Sequence, residues 1–99
     1  MLASTKYRIS SKLLFAFSNP DFIEFKKDGD KYILDVPVVG MKVIISKECV
    51  DFVINEETFC VKVDDEVYKI VKTAYIIYKI LPLTMFVKKA IKALINALK

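Results

Sequence analysis

The sequence predicts an α+β fold: a five-stranded antiparallel meander with two C-terminal helices packed on one face and a short N-terminal helix before it. Three observations predict it. All twelve acidic residues lie at or before Glu66, whereas residues 67–99 carry seven lysines and no acid. Between residues 21 and 63 apolar and polar groups alternate with the period of half-buried strands. After Val63 the period changes to the i, i+3, i+4 spacing of amphipathic helices. Ninety-nine residues with a 55% hydrophobic content form one domain, 1–99, near the size at which a single core is adequate without being generous. No repeat, low-complexity tract or linker interrupts it.

Taken in order, residues 1–20 are the least regular. Ser10 or Ser11 is placed to cap a short helix through 13–17, stopped at Asn19-Pro20. Five consecutive apolar residues there carry no period, so a strand is the alternative reading. The meander follows as strands at about 21–27, 31–36, 41–46, 49–54 and 58–63. Asp28-Gly29 is a hairpin signal and, taken as the centre of the first turn, sets Phe25 opposite Tyr32 and Lys26 opposite Lys31. Pro37-Val38-Val39-Gly40 pairs Val36 with Met41. Lys47-Glu48 pairs Ile45 with Val50. A turn through Asn55-Glu56-Glu57-Thr58 pairs Ile54 with Phe59 and Phe52 with Val61. These four turns agree on one apolar face: Ile23, Phe25, Tyr32, Leu34, Val36, Met41, Val43, Ile45, Val50, Phe52, Ile54, Phe59, Val61 and Val63. A slip of one residue at any of them would turn a strand inside out.

The helices follow at about 65–81 and 84–98, separated by Pro82. Val67, Ile70, Val71, Ala74, Ile77, Tyr78 and Leu81 form the apolar face of the first. Asp64 or Asp65 caps it, and Asp64-Asp65-Glu66 suit its positive end. Val87, Ala90, Ile91, Leu94 and Leu98 form the apolar face of the second.

The composition excludes much chemistry. There is no His, no Trp and no Gln, and a single Arg and two Gly are present. The commonest general base and metal ligand is therefore missing, and no glycine-rich phosphate loop exists. Asp64-Asp65-Glu66 read as a helix cap and Asp28-Gly29-Asp30 as a turn, in preference to cation loops. In the register above Cys49 and Cys60 lie roughly 13 Å apart, too far for a bridge, and a zinc site within one chain is not expected. We therefore assign no catalytic, metal-binding or cofactor-binding residue and expect no enzyme activity and no cofactor.

Three surfaces remain as candidates. Lys69, Lys72, Tyr75, Lys79, Lys88, Lys89 and Lys92, with Tyr68 beside them, form a basic and aromatic flank of the type that contacts nucleic acid; a solvated helix face is the plainer reading. The last helix has the composition of one that lies on an anionic membrane. It is needed to cover the sheet, so peripheral membrane contact is not expected. On the second sheet face Ile33, Ile44, Val53 and Cys60 form either a subunit interface or the seat of the N-terminal segment.

The Lys-, Ile- and Val-rich, His- and Gln-free composition, in segments such as KYILDVPVVGMKVIIS and VKKAIKALINALK, is of the hyperthermophile type. With its length, it resembles the small uncharacterised proteins of filamentous viruses of hyperthermophilic archaea. That resemblance implies a thermostable accessory factor acting on host components, and it transfers no functional residue. The expectation from sequence is thus a non-catalytic interaction protein, a homodimer or a binder of a host protein, with non-specific nucleic-acid binding as the alternative. No apolar run follows the charge of the first residues and no stretch reaches the ~20 apolar residues of a membrane span, so an intracellular location is expected.

Overall fold

The computed structural model describes all 99 residues. A five-stranded antiparallel sheet, ordered as in the sequence, is formed by β1 (Glu24–Asp28), β2 (Lys31–Val36), β3 (Met41–Ile45), β4 (Cys49–Ile54) and β5 (Glu57–Lys62). Three helices, α1 (Ala3–Ser18), α2 (Asp65–Ile80) and α3 (Thr84–Ala97), pack on one face of it. Within that layer α3 lies between α1 and α2. The fold is the predicted α+β arrangement, and no helix is long and apolar enough to cross a membrane.

The core is one cluster. Leu34, Val36, Met41, Val43, Ile45, Val50, Phe52 and Ile54 are buried on the sheet, against Ile9, Leu13 and Ala16 of α1, Tyr68, Val71 and Ala74 of α2, and Val87, Ala90, Ile91 and Leu94 of α3. No polar or charged residue is buried. Phe59, Val61 and Val63, at the β5 edge, are half-buried against the cluster. The predicted face is therefore correct at every strand, although two registers are not.

Both register corrections are shifts of two residues, which preserve the face. At the first hairpin Asp28 pairs with Lys31 and Phe25 with Leu34, in place of Tyr32. The turn is centred on Gly29-Asp30. Gly29 takes a φ of +63°, as a glycine at the first central position of a II′ turn does. Electrostatics favour this register: Lys26 no longer faces Lys31 but sits beside Glu24 (3.1 Å) and Asp35 (3.8 Å). At the fourth hairpin the turn contracts from the expected four residues to Asn55-Glu56, whose φ angles are +49° and +69°. Two successive positive values define a I′ turn, whose twist matches that of the strands. Phe52 now opposes Phe59, Val50 opposes Val61 and Asp51 opposes Cys60. The second and third connections keep their expected pairings, Val36 with Met41 and Ile45 with Val50.

The shift at β5 overturns the 13 Å separation expected for the cysteines. Cys49 and Cys60 become diagonal neighbours, with Cα atoms 6.3 Å apart, and form a disulfide.

The helices differ from expectation mainly at α1. It starts at Ala3, not at Ser10 or Ser11, which lie inside it. The local capping signal is overridden because Ile9, one turn before Leu13, docks in the core. Asn19 ends the helix as expected, its backbone N–H donating to Phe15 and Ala16 and its side-chain amide to the Phe15 carbonyl (3.0 Å). Pro20 then forbids another turn. Lys12 donates to the Val39 carbonyl (2.6 Å), tying α1 to the connection between β2 and β3. Asp64 caps α2, its carboxylate accepting from the Glu66 N–H (3.2 Å). Asp65 and Glu66 lie in its first turn and Lys79 in its last, each sign favourable to the helix dipole.

Two stability outcomes are expected. Glu56 carries a side chain in left-handed conformation, which costs about 1–2 kcal/mol; Glu56→Gly should therefore raise unfolding free energy by about 1 kcal/mol in urea melts. Phe52→Ala empties the centre of the core and should lower it by about 3–5 kcal/mol.

Candidate functional site

The charge break of the sequence becomes a division of the molecule into two layers. The six basic and twelve acidic residues of 21–66 lie mostly on the sheet and its turns. Lys6, Arg8 and Lys12 lie on α1, three lysines on α2 and three on α3, and the only acids of the helices are Asp65 and Glu66 at the start of α2. Because all three helices share one side of the sheet, that side is cationic.

The predicted lysines do not converge into one plate. Lys69 of α2 and Lys89 of α3 line the same groove, of about 250 Å³, with Ile70, Thr73, Ala74, Ile77, Phe86 and Glu66. Lys72 and Lys79 lie on the other flank of α2 by helical spacing, Lys79 with its ammonium 5.9 Å from the Tyr75 ring centre. Lys88 is turned toward α1, with its ammonium 5.1 Å from the Phe17 ring centre. Lys92 is exposed one turn beyond Lys89.

The tyrosines are not a free stacking surface. Tyr75 is half-buried, packed edge-on against Phe25 (5.1 Å between ring centres) and tilted against Tyr32 (5.3 Å). Tyr68 is buried, stands 5.5 Å from Tyr32 and donates its hydroxyl hydrogen to the Asp30 carbonyl (2.6 Å). The buried face of α2 is thus Tyr68, Val71 and Ala74, with Val67, Tyr75 and Tyr78 packed at its edge; Val67, Val71, Ala74 and Tyr78 of the expected face hold, and the face is rotated away from Ile77 and Leu81 toward Tyr68 and Tyr75. The aromatic surface of Phe25 and Tyr32 takes up the tyrosine rings, which carry more area than Ile77 or Leu81 and a hydroxyl that reaches out to a partner.

The rotation leaves an apolar corner. Ile76, Ile77, Ile80, Leu81, Leu83 and Met85 are all exposed, Ile80 by 81% and Met85 by 61%. They gather where α2 ends and α3 begins, with Lys79 among them and Lys89 on the following turn. Sequence reasoning assigned Ile77 and Leu81 to the core and gave Ile76, Ile80, Leu83 and Met85 no role. The signal for the last four was present: they fall outside the i, i+3, i+4 faces yet are apolar.

The second sheet face is uncovered. α1 packs with the other helices, which removes the N-terminal segment as its cover. Across it run Lys26, Ile33, Ile44, Asp51 and Cys60 in one row of paired residues, with Val53 on the adjacent row. Ile33, Ile44 and Val53 are half-buried among charged neighbours of both signs, and Cys60 is exposed.

No protein-family model matches the chain, and no curated protein or solved structure is similar to it.

The tyrosine cluster has a measurable consequence. Tyr32 is 2% exposed, and burial, with Tyr68 and Tyr75 adding to it, raises its pKa above 10.0. In the unfolded chain it titrates near 10. Above that pH the native state holds a proton that the unfolded state has lost, so stability falls as pH rises from about 10 toward the native value. Thermal melts across this range should show the decline, and Tyr32→Phe should flatten it. Tyr68→Phe leaves the Asp30 carbonyl without its donor and should cost about 1 kcal/mol.

Proposed function

We propose that the protein is a non-catalytic interaction protein that docks on an anionic membrane surface through the α2–α3 corner. The single observation behind this reading is the gathering of exposed aliphatic side chains, Ile76 to Met85, in a part of the chain with lysines and no acid. Contiguous exposed apolar surface marks an interaction site, and its rim selects the occupant.

A second copy of the same corner would bring lysine against lysine. Nucleic acid would be served by arginine and by free aromatic rings; the chain has one Arg, and Tyr75 and Tyr68 are committed to the core. An anionic lipid surface suits both components, aliphatic groups entering the acyl boundary while lysines meet headgroups. The α3 apolar face takes no part, because Val87, Ala90, Ile91, Leu94 and Leu98 are already buried. The docked helix presents its tip and not its length.

Co-sedimentation with phosphatidylglycerol-rich vesicles tests this. Binding is expected, and little of it to phosphatidylcholine alone. Each lysine near an anionic surface is worth about 1 kcal/mol, so Lys79→Ala should weaken binding about fivefold, and added salt should weaken it further. Ile80→Asp, on an exposed position, should abolish binding without lowering the melting temperature. An Ile80→Asp variant that sediments with vesicles as well as the parent would refute the docking surface. Gel shifts on duplex and single-stranded DNA test the nucleic-acid reading beside it: a steeply salt-dependent shift that Ile80→Asp leaves intact would favour that alternative.

A further inference from the structure

We propose that Cys49, Asp51 and Cys60, when the cysteines are reduced, bind a thiophilic divalent cation of the zinc class. The site lies on the open sheet face, away from the helical corner, and does not depend on the membrane reading. Cys49 and Asp51 are two residues apart on β4 and so point to the same side. Cys60, on the edge strand β5, is directly opposite Asp51. The strand ladder therefore fixes three donors from two strands with no loop involved.

The donor geometry suits the ion. The ligand atoms of the three residues lie within 4.8 Å of one another. Bonds of about 2.3 Å to sulfur and about 2.0 Å to carboxylate oxygen set the donors of a tetrahedral zinc ion somewhat under 4 Å apart, a change within reach of side-chain rotation. Asp51 is already turned to the sulfurs: its Oδ1 lies 3.4 Å from the Cys49 Sγ, and it forms no ion pair with any lysine. Two thiolates give the set its softness and select zinc over magnesium or calcium. The fourth position is left to water on the exposed side.

In the structure the two sulfurs are joined, and a disulfide offers no thiolate. Disulfide and metal are thus alternative uses of one pair. Loading requires a low-molecular-weight thiol: two thiols reduce the Cys49–Cys60 bond and leave as their own disulfide, the two protein thiols lose two protons, and the cation takes both thiolates. The reverse reaction consumes a small disulfide and two protons and releases the cation with two small thiols.

Titration of the reduced chain with Co²⁺ as a spectroscopic probe, then displacement by Zn²⁺, tests the site. The expected result is one ion per chain, a sulfur-to-cobalt charge-transfer band, release of two protons per ion, and no binding to the oxidised chain. Cys60→Ser should remove most of the band. Asp51→Asn should lower Zn²⁺ affinity on the order of tenfold or more, with far-ultraviolet circular dichroism unchanged because both positions are outside the core. Absence of the band in the reduced chain, equal affinity in Asp51→Asn, or one ion per two chains would each overturn the single-chain site.

Discussion

The whole structure depends on the burial of one side of the sheet. Leu34, Val36, Val43, Ile45 and Ile54 are fully buried, and Phe52 at 1% exposure nearly so. These residues sit on three central strands whose side chains alternate, so the same pleat that gathers them expels Ile33, Asp35, Lys42, Ile44, Asp51 and Val53 to the other side. A surface of this size in a chain of 99 residues needs nearly all of the helical mass to cover it. α1, α2 and α3 are all spent there, and nothing is left for the second face. The open face and the crowded helical layer are two results of one constraint.

Charge follows from that arrangement. The acid-free basic segments at the two ends of the chain, residues 1–20 and 67–99, meet in one layer because both are helical and both are recruited to the same apolar surface. The acidic middle stays in the sheet. The separation in sequence thereby becomes a separation in space, with a cationic helical side and a sheet side that carries the acids. The helix dipoles agree with it at α2, where Asp64, Asp65 and Glu66 meet the positive end and Lys79 the negative one.

The aromatic cluster of Phe25, Tyr32, Tyr68, Tyr75 and Tyr78 decides which way α2 faces. Tyrosine rings bury large apolar areas while keeping a hydroxyl that must find a partner. Tyr68 finds the Asp30 carbonyl, next to the first hairpin turn. Turning these rings inward turns Ile76, Ile77 and Ile80 outward. The exposed corner is the counterpart of this packing choice, and its lysines share the helices that carry it.

Much was determined by the sequence alone: the strand count, the parity of every strand, both C-terminal helices and a cap on α2 from Asp64 or Asp65, of which the structure uses Asp64. Each depends on local periodicity or on a capping group acting on its own backbone. Parity survived two wrong registers because a two-residue slip returns every side chain to its face. Only tertiary structure decided the first and fourth turns, since Glu56 is a poor candidate for a left-handed position and accepts it in the two-residue turn that sets Phe59 opposite Phe52 and Val61 opposite Val50. It also decided the start of α1, set by the docking of Ile9, and the rotation of α2 toward Phe25 and Tyr32. The meeting of Cys49, Asp51 and Cys60 was likewise hidden in the sequence, because two residues of slip between β4 and β5 leave the core unchanged but move one cysteine from a distant place in the ladder to the other's side.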